Sequence, residues 1–144
     1  MKGQKAQGIV EFAVVLPLFL LLSMGVIYFG MAFSDYLTMS NTVRSIAHEA
    51  SLKSTDDDYK TVIRHGAGGV TLVSDIYIWQ PDSQNGNNND FLSVTYDADN
   101  HNVVVRAQAK LNQESLLANA VSNMLGNGIG DAISITYTMY TDRK

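Results

Sequence analysis

The chain begins with a few polar and basic residues. One residue after a lone carboxylate at Glu11, it enters an uncharged apolar run from Phe12 to Phe33, FAVVLPLFLLLSMGVIYFGMAF. At about 1.5 Å per residue, a helix of about twenty residues crosses a hydrocarbon core of roughly 30 Å, so this run predicts a membrane-spanning helix that includes Phe12, Pro17, Leu20, Leu22 and Phe33. Pro17 removes one backbone donor and favours a bend, which neighbouring groups in a membrane can accommodate. Past Phe33 the pattern turns amphipathic: Tyr36, Met39, Val43, Ile46, Ala47 and Ala50 recur at three- and four-residue steps, while Arg44, His48 and Glu49 fall mostly elsewhere. The expectation is one long helix, its first half in the membrane and its outer half a stem with an apolar stripe.

Further helix and strand signals follow. Thr55 is placed to cap a short helix, with Asp56 to Asp58 at the positive end of its dipole, Tyr59, Val62 and Ile63 as its face, and the His65 to Gly69 stretch as its end. Val70 to Trp79 reads as a strand. Phe91 to Tyr96 and Asn102 to Ala109 read as a hairpin about Asp97-Ala98-Asp99-Asn100, with Val103, Val105, Ala107 and Ala109 on one inner face. Asn112 is placed to cap a helix with Leu116, Leu117, Ala120, Val121, Met124 and Leu125 as its packed face and Gly126 as its stop. A last strand alternates Ile133, Ile135, Tyr137 and Met139 with Ser134, Thr136, Thr138 and Tyr140. The predicted class is α+β: a long N-terminal helix on a small, mainly antiparallel sheet of about four strands, with one or two short helices.

Charge gives this layout a direction. Lys2 and Lys5 precede the apolar run and the first charge after it is Asp35, so the N-terminus is expected in the cytoplasm and the head outside a bacterial cytoplasmic membrane. The length of the run and the lack of an A-x-A-like site after it argue against an ordinary cleaved signal peptide. The chain has 144 residues, no cysteine and a formal net charge of −4. That length supports one small domain, and without cysteine there is no disulfide framework or thiolate metal site. From Ser34 onward eight basic residues face thirteen acidic ones with no basic cluster, which argues against nucleic acid as a partner.

Glu11 needs a reason, because an ionised carboxylate in hydrocarbon costs several kcal/mol unless it is paired or reaches water. It either marks the membrane boundary or docks a positive charge on a neighbouring subunit. The segment GIVEFAVVLPLFLLLSMGVIYFG, with its Gly-x-x-Glu-Phe-Ala-x-x-x-Pro core, resembles the N-terminus of TadE-like pseudopilins, the minor pilins of Flp/Tad (type IVb) pilus systems. The resemblance implies a leader, residues 1–6, removed by a dedicated prepilin peptidase between Ala6 and Gln7, so that Glu11 becomes the fifth mature residue and, beside Phe12, sets register by pairing with a free N-terminal amine. The family pattern prefers Gly before the cut, where this chain has Ala6. The resemblance further implies residues 7–53 as membrane and stem helix and 54–144 as an extracytoplasmic head. Its implied partners are the prepilin peptidase, other pseudopilins, the major Flp pilin and the inner-membrane assembly platform, beside the lipid bilayer that the apolar run itself predicts.

No catalytic constellation is legible. His48, His65 and His101 have no motif around them, Gly66-Ala67-Gly68-Gly69 lacks the Lys-Ser/Thr of a phosphate loop, and Gly126-x-Gly128-x-Gly130 follows a helix rather than a strand. The polar tract Gln80 to Asp90 reads as an exposed loop. A Ca²⁺ site of Asp82, Asp90, Asp97 and Asp99 lacks calcium-loop spacing, because His101 stands where an oxygen ligand is needed. No cofactor and no enzyme activity are expected. Two readings remain: a pseudopilin that works by assembly, or a signal-anchored binding module outside any filament.

Overall fold

Helix α1 (Lys2–Ser51) is the axis of the computed structural model, which describes residues 2–53, 55–81, 86–125 and 132–141. It runs unbroken for 50 residues through Pro17. On its outer half Met39, Val43, Ile46, Ala47 and Ala50 are fully buried. The row they form extends back through Asp35 and Ala32 to Tyr28, at steps of three and four. Tyr36, expected on this stripe, lies off the row and is exposed.

Helix α2 (Asp56–Ala67) is capped as its sequence predicts, with the Thr55 Oγ1 accepting the Asp58 N–H at 3.3 Å. It runs on through His65 and Gly66 before Gly68 ends it. Tyr59, Val62, Ile63 and Ala67 are buried, and α2 packs against α1. Gly66 sets how closely the two helices approach, because a Cβ there would lie 2.5 Å from Cγ1 of the buried Ile46.

The sheet is antiparallel throughout and built around β3 (Asn102–Leu111). On one side β3 pairs with β4 (Ala132–Tyr140) along its length, and on the other with β2 (Leu92–Asp97) and then β1 (Tyr77–Ile78). Val103, Val105, Ala107 and Ala109 alternate inward onto α1, with Leu92 and Val94 beside them. The β2–β3 hairpin closes as predicted. Asp97 Oδ1 accepts the Asp99 and Asn100 N–H groups and Oδ2 accepts the Asn100 side-chain amide at 2.8 Å. The Asn100 amide is the main cause holding the Asp97 carboxyl below the usual range. His101 completes the turn in the left-handed region at φ 51°. The end of β4 is tied to the end of α1, where Thr141 Oγ1 donates to the Ser51 carbonyl at 2.7 Å and satisfies one of the helix's unpaired C-terminal acceptors.

Four expectations are corrected. Only Tyr77 and Ile78 of the segment 70–79 form a strand, because the backbone N–H groups of Val73 and Ser74 bond to a side chain instead of a ladder. β4 alternates as expected, but its inner face is only half-buried. The loop after Trp79 is not simply solvated. The Asn88 side chain bonds both the N–H and the C=O of Val94, as a neighbouring strand would, and Gly86 packs on the Lys60 carbonyl with φ 81°; residues 82–85, Asp82 among them, lie outside the described residues. Helix α3 (Leu116–Leu125) is capped by Ser115, whose Oγ accepts the Ala118 N–H at 3.3 Å, while Asn112 is engaged with Asp75.

Gly66→Ala is expected to destabilise the full chain in detergent micelles by about 1–3 kcal/mol, since overpacking a rigid contact costs that much. Gly25→Ala, where a Cβ meets nothing within 4 Å, should leave stability intact or slightly raised. Denaturant titration followed by Trp79 fluorescence reads both.

Candidate assembly surface and the stem–head joint

From Gly8 to Ile27 the helix carries no buried residue. Phe12, Leu18 and Leu22 are more than 60% exposed, and Leu20 is 52% exposed. This is a bare apolar rod of about twenty residues, long enough by length and composition to cross a membrane. Pro17 lies within it and leaves the Ala13 carbonyl without its usual i+4 donor. Glu11 and Phe12 are on its exposed surface two turns from the start of the helix's basic end. Ala6 and Gln7 fall in the first turns of α1, and their side chains lie outside the described ones.

The rod ends where the head begins to grip it, at Tyr28 rather than after Phe33. Tyr28 and Ala32 turn into the head's core, while Phe29 and Phe33 stay exposed on the other flank. The Tyr77 phenol is the polar neighbour of Tyr28, yet the Tyr28 hydroxyl is buried without a partner in hydrogen-bonding geometry.

Two turns higher Asp35 is completely buried, on the row that otherwise holds Met39, Val43 and Ile46. Its Oδ1 accepts the Val73 N–H at 2.8 Å and the Ser74 N–H at 3.2 Å, and its Oδ2 accepts the Ser74 hydroxyl. The Ser74 Oγ in turn accepts the Ile76 N–H at 3.2 Å. One carboxylate thereby satisfies the donors of the segment that leads into β1 and fastens it to the stem. A buried carboxylate is tolerable only when its lone pairs are filled in this way. Sequence reasoning treated Asp35 as a flanking charge. The count alone does not single it out: the steps from Ala50 through Ile46, Val43 and Met39 are four, three and four, and a further step of three lands on Tyr36 while a step of four lands on Asp35.

The other polar groups do not converge. Lys110 pairs with Asp90 at 3.2 Å and lies 5.3 Å from the centre of the Phe91 ring. His101 Nδ1 meets the Tyr96 hydroxyl at 3.1 Å, and His48 and His65 are exposed on separate helices. Asp97 is occupied by its own turn, so Asp90, Asp97 and Asp99 form no shared site. Among the described residues no three His, Cys, Asp or Glu side chains come together to hold a metal ion.

The geometry thus sets apart an exposed apolar helix and a head clamped to its continuation, and one family model matches at that place. Residues 6–48 match the family model of TadE-like proteins, which makes the N-terminal segment TadE-like and links the chain to Tad pilus systems. The match takes in the bare rod, the Asp35 joint and most of the stem, and stops before α2. No curated protein and no solved structure matches the chain.

Asp35→Ala leaves three donors of the 73–74 segment without their acceptor and is expected to cost about 2–4 kcal/mol, since each buried unmade bond costs about 1–3 kcal/mol before relaxation. Hydrogen exchange should show faster exchange at Val73 and Ser74 than in β3. Unchanged protection at both amides would show that Asp35 does not hold them.

Proposed function

We propose that this chain is a minor pilin, or pseudopilin, of a Flp/Tad-type pilus used in adherence or secretion, and that it acts by assembly rather than by chemistry. Its apolar rod is held in the cytoplasmic membrane, N-terminus inward and head outside, and packs against sister helices when the subunit is drawn into a filament, at its tip or during its priming. One observation carries this reading: about twenty consecutive helical residues with no buried side chain lie within the TadE-like match. A helix apolar on all sides needs lipid or other apolar helices around it.

In this reading the leader of residues 1–6 is removed between Ala6 and Gln7 by a prepilin peptidase, and Glu11 pairs with the new N-terminal amine of a neighbouring subunit. In a low-dielectric helical core that pair fixes axial register, since a slip of one turn leaves an unpaired buried charge. The clamped head presents a fixed surface to its partners, which are another pseudopilin, the major Flp pilin and the inner-membrane platform.

The test is the intact mass and N-terminal sequence of the protein from membranes with and without the peptidase. A start at Gln7 only when the peptidase is present is the expected result; an uncut start in both would instead make the chain a permanently anchored binding module. Glu11→Ala should leave membrane insertion unchanged and abolish co-purification with other pilins. Retained association would overturn the register role.

A further inference from the structure

The two long edges of the sheet are finished in opposite ways. Gln108 donates its N–H to the Phe91 carbonyl and Thr141 donates its N–H to the His101 carbonyl, so even-numbered residues of β3 bond toward β2 and odd-numbered ones toward β4. Leu92 and Val94 of β2 therefore point their backbone groups outward, and both are already paired. Asn89 accepts the Leu92 N–H through Oδ1 and donates its own N–H to the Leu92 carbonyl, and the Asn88 side chain does both for Val94. On β4 the outward groups belong to Ser134, Thr136, Thr138 and Tyr140, and among the described residues nothing bonds to them.

The chemistry of that edge sets what fills it. Alternating N–H and C=O groups along about 30 Å of strand match only another extended backbone, and an unpaired edge is a template for one. From Ala132 to Tyr140 β4 has neither charge nor proline, two of the features that blunt an edge. Its inward residues Ile133, Ile135, Tyr137 and Met139 are only half-buried against the core, so a strand with apolar residues opposite them completes their cover. Direction narrows the source. β4 starts opposite Lys110, beside the Leu111–Tyr77 pair at the level of Tyr28, and ends where Thr141 meets Ser51, so it ascends along the stem as α1 does. β1 and β2, antiparallel to β3, ascend too. A second copy with its rod in the same bilayer and the same sense thus offers no descending outer strand, and an antiparallel β4-to-β4 ladder would turn its rod the opposite way.

We propose that β4 is an acceptor edge for strand addition, and that the strand it takes is an uncharged, alternately apolar segment of a different pilus subunit, running antiparallel to β4 and so back toward the rod. The source of that strand rests on the pilus-subunit reading. Main-chain bonds supply the affinity, and the inward row from Ile133 to Met139 supplies the specificity. The antiparallel sense continues a sheet that is antiparallel throughout and is the more stable pairing per residue. With the β2 edge sealed by Asn88 and Asn89, the sheet grows on the β4 side alone.

Residue-resolved hydrogen exchange reads this edge, because the outward N–H groups of Ser134, Thr136, Thr138 and Tyr140 alternate with the β3-bonded ones of Ile135, Tyr137 and Met139. In the full chain alone in micelles the outward set should exchange as fast as the exposed turn at Ala98, and the β3-bonded set slowly. In the complex purified after co-expression with the other pilins of the same system, the outward set should slow by about tenfold or more. Thr136→Pro removes an outward N–H and none that bonds β3, so it should abolish co-purification while the β3 amides stay protected. If that variant does not fold, Thr138→Pro removes the next outward donor. Outward amides that stay fast in a complex that does form overturn the proposal and leave the pilin reading standing. Protection already present in the chain alone means that the chain covers its own edge or, where protection grows with protein concentration, that a second copy does; either result overturns the proposal. If no pilin co-purifies with the unaltered chain, the pilin reading falls and the proposal with it.

Discussion

A single continuous helix has to satisfy two surroundings, and the position where it passes from one to the other governs the rest of the molecule. From Gly8 to Ile27 α1 carries no buried residue; from Asp35 to Ala50 one row is completely covered by the head. α2, β3 and β4 all pack on that row, and the last described residue of the fold, Thr141, bonds to the helix's terminal carbonyl. With no disulfide to hold it, the head depends on the stem for part of its core. The helix thus links the exposed apolar rod to the position of the head. A force or shift applied to the rod passes straight to the sheet.

Asp35 stands at the transition. A charge in an otherwise apolar row would normally weaken the core, yet here it supplies acceptors to a segment that has no ladder to join. That fixes the 73–76 segment low on the stem, places β1 next to Tyr28, and so sets where the base of the head lies. The opposite edge logic operates at β2, where the Asn88 amide mimics a strand at Val94 and closes that edge against pairing.

Much of this was legible in the sequence because it depends on local rules. The apolar run, the Met39–Val43–Ile46–Ala50 row, the Thr55 cap, the hairpin about Asp97 and the inward alternation of β3 all follow from periodicity or from a side chain bonding its own backbone nearby. What was missed depends on residues far apart in the chain. Nothing near Val70 to Ile76 tells that a carboxylate 38 residues earlier will take its N–H groups, and Asn112 looks like a helix cap until Asp75 claims it. α3 shows the limit of reading an amphipathic pattern: Leu117 packs on the core as expected, Leu116 and Ala120 are exposed instead, and the side chains of Val121, Met124 and Leu125 and the stop at Gly126 lie outside the described residues. The candidate surface, Glu11 and Phe12 on the bare rod, was read from the sequence alone, since exposure of an apolar helix follows from its having more apolar surface than one small head can cover.

The central claim is that α1 changes surroundings at Tyr28. The most direct measurement is a single-cysteine scan of positions that face away from the head, Leu18, Val26, Phe29, Phe33, Leu37, Asn41 and Ser45, against a membrane-impermeant maleimide in proteoliposomes. The account predicts protection at Leu18 and Val26, a rise across Phe29, and full reactivity from Phe33 onward. Protection that continues to Leu37 or Asn41, or reactivity already at Leu18, would contradict it.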